Sequence, residues 1–323
     1  MRIAILDDYQ NVSSSIVDWH ELAHELNAEV TVFTDYLGEE DEAVCAALQP
    51  FEVIVAMRER TPFTRARIER LDRLKLLVST GRRNSSIDLG AAALRGITVC
   101  STGYLPSDAA EHTWALILAA VRRLDVELFS AARPRPEGAP WQSTLGLGLS
   151  GKTLGILGLG TLGARVAAVG KAFGMRVIAY SQNLTKERAN EVGVELVSET
   201  ELYATSDVLS IHLKLSERSR GVVGAKQLSW MKPDAILVNT SRAAIVDTAA
   251  LLEALDNGLL QAAAVDVFDS EPLPAADRLS STRGLIATPH IGYVTAEQYE
   301  IFYTDAAEDI RAWAQGAPIR VMQ

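Results

Sequence analysis

Cysteine is scarce in this chain: two in 323 residues, Cys45 and Cys100. A secreted scaffold stapled by disulfides would carry more, at paired spacings, so these two read as reduced core thiols. Long apolar runs are missing as well. None reaches the roughly 18–20 residues that a membrane-spanning helix requires. The opening Met1-Arg2-Ile3-Ala4-Ile5-Leu6 is cut short by Asp7 and Asp8, which reads as a strand and not as a signal peptide. Positive charge is in deficit, with 31 Lys and Arg against 41 Asp and Glu and a net charge of −10. That balance argues against nucleic acid and membrane surfaces as partners. No repeat appears at solenoid spacing. A cytoplasmic protein is expected.

What is present is an ordinary globular composition, 48% hydrophobic and 22% charged. At roughly 100–200 residues per domain the length suggests two domains. Short apolar or β-branched runs at 3–6, 30–33, 53–55 and 76–78 alternate with helical patterns such as 18–26 and 42–48. A long helix is expected from Ser107 to about Phe129, followed by a loop rich in proline and charge at 133–140. A second series begins at Thr153, with strands at 154–157, 176–180, 208–212, 236–240, 263–267 and 285–287, and ends in a helix at about 295–315. Such alternation predicts an α/β protein with two doubly wound parallel sheets.

The strongest local signal is Gly158-Leu159-Gly160-Thr161-Leu162-Gly163, which follows a strand and precedes a helical pattern at 165–173. Gly-x-Gly-x-x-Gly in that setting permits a tight turn and brings backbone close to a pyrophosphate at a helix N-terminus. About 20 residues further on, an acid usually receives the ribose 2′-hydroxyl. Here Ser181 stands at that place, in Tyr180-Ser181-Gln182-Asn183. No arginine adjoins it to hold a 2′-phosphate; the nearest cations are Lys186 and Arg188. NAD and NADP both remain open, and the lack of an adjacent cation favours NAD.

Three further segments fall at strand ends: Asn239-Thr240-Ser241-Arg242, Asp266-Val267-Phe268-Asp269-Ser270-Glu271-Pro272 and Thr288-Pro289-His290-Ile291-Gly292. Ligands of open α/β sheets bind at the carboxyl ends of strands. Arginine offers a planar fork for a carboxylate. Histidine is the natural proton donor near neutrality, and a neighbouring carboxylate favours its charged form. Singly, each has a bland reading: a surface cation, a loop acid before proline, a structural histidine. Together Arg242, Glu271 and His290 form a plausible hydride-transfer site.

These motifs, in this order, resemble the D-isomer-specific 2-hydroxyacid dehydrogenases. The resemblance extends to Gly81-Arg82-Arg83-Asn84-Ser85-Ser86-Ile87-Asp88, similar to that family's substrate loop, and to Ala110-Glu111-His112-Thr113-Trp114-Ala115, similar to its interdomain helix. It covers nearly the whole chain. It implies a Rossmann cofactor domain at 104–289 inserted in a flavodoxin-like catalytic domain made of 1–103 and 290–323. It implies hydride exchange between NAD(P) and a small 2-keto or 2-hydroxy acid. Arg242 would grip the substrate carboxylate and carbonyl. His290 would be the acid/base, oriented by Glu271. Arg58 would face the substrate, and amides near Gly81 and Arg82 would hold its carboxylate. Asn84, Thr161, Leu162, Thr240, Ser241, Asp266 and Gly292 would contact the cofactor, beside Gly158, Gly160, Gly163 and Ser181. A homodimer built through the cofactor domain is implied.

Departures from the family pattern are local. Besides Ser181, Lys214 stands where proline is common. Arg82 and Arg83 replace smaller residues; they suggest a substrate with a second anionic group, or else point to solvent. His20-Glu21-Leu22-Ala23-His24 fits the His-Glu-x-x-His zinc pattern, but no convincing third ligand follows, so no metal is expected. A dinucleotide-sensing regulator of the same fold is the alternative to an enzyme.

Overall fold

The computed structural model describes residues 1–132, 138 and 140–322. Most of the proline-rich segment at 133–140 therefore lies outside the described residues. The chain divides into two compact units, Met1–Leu105 with Val294–Gln323, and Pro106–Tyr293. His290 and Gly292 thus belong to the second unit.

The first unit is a five-stranded sheet: β1 (Arg2–Ile5), β2 (Glu29–Val32), β3 (Val53–Ala56), β4 (Leu76–Ser79) and β5 (Thr98–Ser101). Its order is β2-β1-β3-β4-β5, with every pairing parallel. This is the flavodoxin-like order, which switches between β1 and β3. All four residues of β3 and of β4 are buried. Strands covered on both faces must be apolar throughout, which is why they stand out as unbroken hydrophobic runs. The last helix, Ala296–Ala314, packs back on this unit and buries Tyr299, Phe302, Tyr303 and Ile310.

Among the described residues the second unit holds seven strands: β6 (Thr153–Leu157), β7 (Arg176–Tyr180), β8 (Glu195–Leu196), β9 (Val208–Ile211), β10 (Ile236–Asn239), β11 (Ala262–Val265) and β12 (Leu285–Ala287). They lie in the order β12-β11-β10-β9-β6-β7-β8, again all parallel. Counted from β6, the order from the β8 edge runs third, second, first, fourth and onward, as in a Rossmann sheet. One hydrophobic cluster lies on each face.

Three local expectations are corrected. The long helix after Ser107 is two, Asp108–Val121 and Leu124–Ala132. Arg123 breaks it by taking φ 53, and its guanidinium is held by Asp125 at 3.1–3.2 Å. The helix of the glycine motif begins at Thr161 and ends at Ala172, so the motif's own residues form its first turn. Strands β5 and β8 were not anticipated.

Candidate active site

The parallel register of the second sheet aligns its strand ends. Ala287 pairs with Val265, Val265 with Asn239, Asn239 with Ile211, Ile211 with Leu157, and Leu157 with Tyr180. The next residue of each strand therefore steps off one common edge: Thr288, Asp266, Thr240, His212, Gly158 and Ser181. That edge carries most of the residues singled out in the sequence.

The glycines meet different demands. Gly158 has φ 101, and a Cβ on it would lie 2.8 Å from the His212 carbonyl oxygen. A Cβ on Gly163 would lie 2.2 Å from the Gly158 oxygen, so only glycine lets the helix close on the turn. A Cβ on Gly160 would meet no protein atom within 4 Å. Gly160 is the N-cap and supplies no side-chain hydrogen bond, so the amides of the first turn, at Thr161 and Leu162, are left for another acceptor. Space at Gly160 and unclaimed amides behind it fit a dinucleotide pyrophosphate. Ser181 is half-buried, and Arg188 is engaged by Glu191 at 3.0 Å.

After β10 the chain is locked by its own side chains. Asn239 Oδ1 accepts from the Ser241 amide at 3.0 Å, and Asn239 Nδ2 donates to the Arg242 carbonyl at 3.0 Å. Ser241 Oγ donates to the Ile211 carbonyl at 2.7 Å. Thr113 Oγ1 gives its proton to the Ala109 carbonyl, so at 2.7 Å the Thr240 hydroxyl is the donor to Thr113. Arg242 is half-buried, with Nη1 donating to the Ser241 carbonyl at 2.8 Å.

Glu271 and His290 meet directly. Glu271 Oε1 accepts from the Phe268 amide at 2.9 Å, and Oε2 lies 2.6 Å from His290 Nδ1. A carboxylate only accepts, so Nδ1 carries the hydrogen and Nε2 is the ring atom left to exchange a proton elsewhere. The imidazole also packs edge-on against Tyr293, with centroids 5.5 Å apart. Its backbone takes φ 52, an uncommon conformation for a side-chain-bearing residue.

Asp266 sits beneath this turn with both oxygens engaged by the protein. It accepts from the Ile291 and Gly292 amides at 2.9 Å and from Thr288 Oγ1 at 2.6 Å, with His112 Nε2 at 3.1 Å. Burial pushes its carboxyl up, but the bonds from His112, Thr288 and Ile291 outweigh burial and the net shift is downward. His112 and Thr288 were not singled out in the sequence.

Arg58, Gly81, Arg82 and Asn84 follow strand ends of the first unit. Arg58 has φ 51, and its Nη1 would lie 1.8 Å from a Cβ on Gly81, so that glycine makes room for the guanidinium. Asn84 is buried; its Nδ2 donates to the Arg58 carbonyl at 2.6 Å and to Ser79 Oγ at 3.0 Å, and its Oδ1 accepts from both polar groups of Ser86. The structure thus makes Asn84 a brace for Arg58. Arg82 and Arg83 are exposed.

Residues 114–292 match the family model described as D-isomer specific 2-hydroxyacid dehydrogenase, NAD binding domain. A glyoxylate reductase of Aeropyrum pernix is 44% identical over 253 residues, 76% of this chain and 74% of that protein. A D-3-phosphoglycerate dehydrogenase of Methanocaldococcus jannaschii is 36% identical over 92% of this chain, which spans only 56% of its length. The crystal structure of a phosphoglycerate oxidoreductase from Vibrio cholerae superposes with a TM-score of 0.88 at 39% identity, covering 98% of this chain and 100% of that one.

Proposed function

The chain belongs to the D-isomer-specific 2-hydroxyacid dehydrogenase family, and from that premise we propose how its residues divide the work of an NAD(P)-dependent oxidoreductase. The reaction moves a hydride between a nicotinamide and the 2-carbon of a hydroxy or keto acid, and the bound cofactor supplies or receives that hydride. Gly158, Gly160, Thr161, Leu162 and Gly163 hold the pyrophosphate, with Ser181, Thr240, Ser241 and Gly292 along the same strand edge. Ser181 and the engagement of Arg188 by Glu191 favour NAD over NADP.

Arg242 grips the substrate carboxylate and polarises the carbonyl. Arg58 and the amide at Arg82 are the first unit's groups for an anionic substrate; the Gly81 amide, expected to join them, instead donates to Thr102 Oγ1 at 2.7 Å. His290 Nε2 gives a proton to the carbonyl oxygen during reduction and takes it back during oxidation. Glu271 keeps the hydrogen on Nδ1 and balances the charge that the imidazole carries. The observation that carries this reading is the 2.6 Å contact between Glu271 and His290.

The first substrate class is small 2-keto acids, of which glyoxylate is the simplest. A second reading rests on the exposed pair Arg82 and Arg83: a substrate with a second anionic group, such as a phosphate. A panel of 2-keto acids with and without that group, each tested with NADH and NADPH, separates the two. His290→Gln is expected to abolish most turnover at every pH. A wild type that oxidises neither cofactor with any member of the panel would return the chain to the class of dinucleotide-sensing regulators.

No helix among the described residues is long and apolar enough to cross a membrane. With both cysteines buried and unbridged, we read the enzyme as cytoplasmic. We also read it as a homodimer through the second unit, where Leu128, Trp141 and Leu145 are 61%, 76% and 92% exposed. Sedimentation of the purified chain tests that.

A further inference from the structure

We infer that His112 is a positioning residue for His290, holding the left-handed turn at that histidine through Asp266 and Thr288. The inference rests on the acid/base role proposed above for His290. His112 lies on the helix Asp108–Val121, with its side chain 15% exposed. Its Nε2 is 3.1 Å from Asp266 Oδ1 and 2.9 Å from Thr288 Oγ1.

The proton on this ring can be assigned from its neighbours. Asp266 accepts from the Thr288 hydroxyl and the Ile291 and Gly292 amides and, as a carboxylate, has no hydrogen to give. The Thr288 hydroxyl has one proton, and it goes to Asp266 at 2.6 Å. His112 Nε2 therefore faces two acceptors and carries the hydrogen, its single N–H shared between Asp266 Oδ1 and Thr288 Oγ1. A glutamine can present an N–H at nearly the same distance from the helix. A leucine cannot donate, and a glutamate would set a third acceptor against the two already there.

The consequence runs to His290 along the backbone. Asp266 binds Thr288 on one side of His290 and the amides of Ile291 and Gly292 on the other. Those contacts bracket a residue held at φ 52. Gly292 is close-packed here, because a Cβ on it would lie 3.0 Å from Asp266 Oδ2 and 3.5 Å from His112 Cδ2. Without the His112 donor, a buried carboxylate loses one of its partners and the Thr288 hydroxyl loses the one donor it has among the described residues. Either change frees the side chain that fixes the turn, and the imidazole drifts from the line it needs for proton transfer.

The test uses the full chain, glyoxylate and NADH. His112→Leu should lower kcat by about tenfold to a hundredfold, the scale of loss seen when reacting groups are misplaced by an ångström. KM for glyoxylate should stay within about twofold, because the groups proposed to bind its carboxylate are untouched. His112→Gln should recover most of the lost kcat, and His112→Glu should not. A leucine variant that turns over like wild type, or glutamine and glutamate variants equally slow, overturns the inference. The last comparison stands even if the leucine variant fails to fold. With histidine ¹⁵N-labelled and no cofactor added, the His112 Nε2 resonance should be that of a protonated nitrogen, and an unprotonated one also overturns the inference. A wild type inert toward every 2-keto acid sinks the functional reading and this inference with it; an active wild type with an equally active leucine variant sinks only this one.

Discussion

At the scale of single residues, Arg242 is the most exacting element of the site. Its backbone is fixed on both sides, by Asn239 Nδ2 on its carbonyl and by the Ser241 turn before it. What it offers a substrate is a planar fork matching a carboxylate, and an ammonium has no such fork. Arg242→Lys should therefore lower kcat/KM by roughly 10²–10³-fold, as expected when a desolvated charge-assisted bond is lost. Dinucleotide affinity, set by other residues, should stay near wild type in a fluorescence titration. Near-normal turnover by the lysine variant would remove Arg242 from the substrate. His290 stands differently, since its ring direction depends on Glu271 and its backbone on Asp266.

At the scale of elements, the glycine turn separates fold from function. Gly163→Ala sets a Cβ 2.2 Å from the Gly158 oxygen, which is backbone and cannot step aside. It should cost about 1–3 kcal/mol of stability as an overpacked contact and loosen the turn as well. Gly160→Ala meets nothing within 4 Å, so the melting temperature should hold while dinucleotide binding falls. Thermal melts paired with NADH titrations check both, and a Gly160→Ala variant with wild-type affinity would mean that the pyrophosphate does not lie there. These elements were also the most legible in the sequence. Buried parallel strands such as β3, β4 and β10 leave apolar runs, and ten of the twelve strands among the described residues carry enough apolar or β-branched residues to announce themselves. β8 is two residues long at an edge, and β5 has only Val99 and Cys100 between Thr98 and Ser101, so neither offers a run to read. The break between Val121 and Leu124 has no glycine or proline to mark it; it depends on Arg123 turning left-handed beside Asp125. The segments bearing Arg242, Glu271 and His290 were legible because each follows an apolar strand. The tie from His112 to Asp266 was not, since its partners lie 154 positions apart and nothing periodic links them.

At the scale of the whole molecule, the stability of the fold depends on protons that no motif reveals. Of 41 Asp and Glu residues, Asp7 is among those that sit fully buried. It follows β1 with φ 58; Thr61 Oγ1 donates to its Oδ2 at 2.8 Å, and Arg60 Nη1 reaches its backbone carbonyl at 2.6 Å. Burial raises its pKa to about 6, against the opposing pull of Thr61 and Arg60. A carboxyl that is harder to ionise when folded keeps its proton in the native state after the unfolded chain has lost it. Between the unfolded value of 3.8 and the folded value of about 6, the native state thus binds more protons, and stability must fall as pH rises. The difference between 3.8 and about 6 corresponds to about 3 kcal/mol over that window, with no further loss above it. Asp266 and Asp207 are shifted downward and lose stability instead as pH drops below the usual carboxylate range, so the full pH curve mixes both signs. Comparing wild type with Asp7→Asn isolates the one group, because asparagine keeps an acceptor for Thr61 and cannot ionise. Denaturant titrations from pH 4 to 7 should show the variant gaining on wild type by up to about 3 kcal/mol as pH rises. A constant difference across that range would mean that Asp7 is already ionised at pH 4 and that its burial is compensated by Arg60 and Thr61.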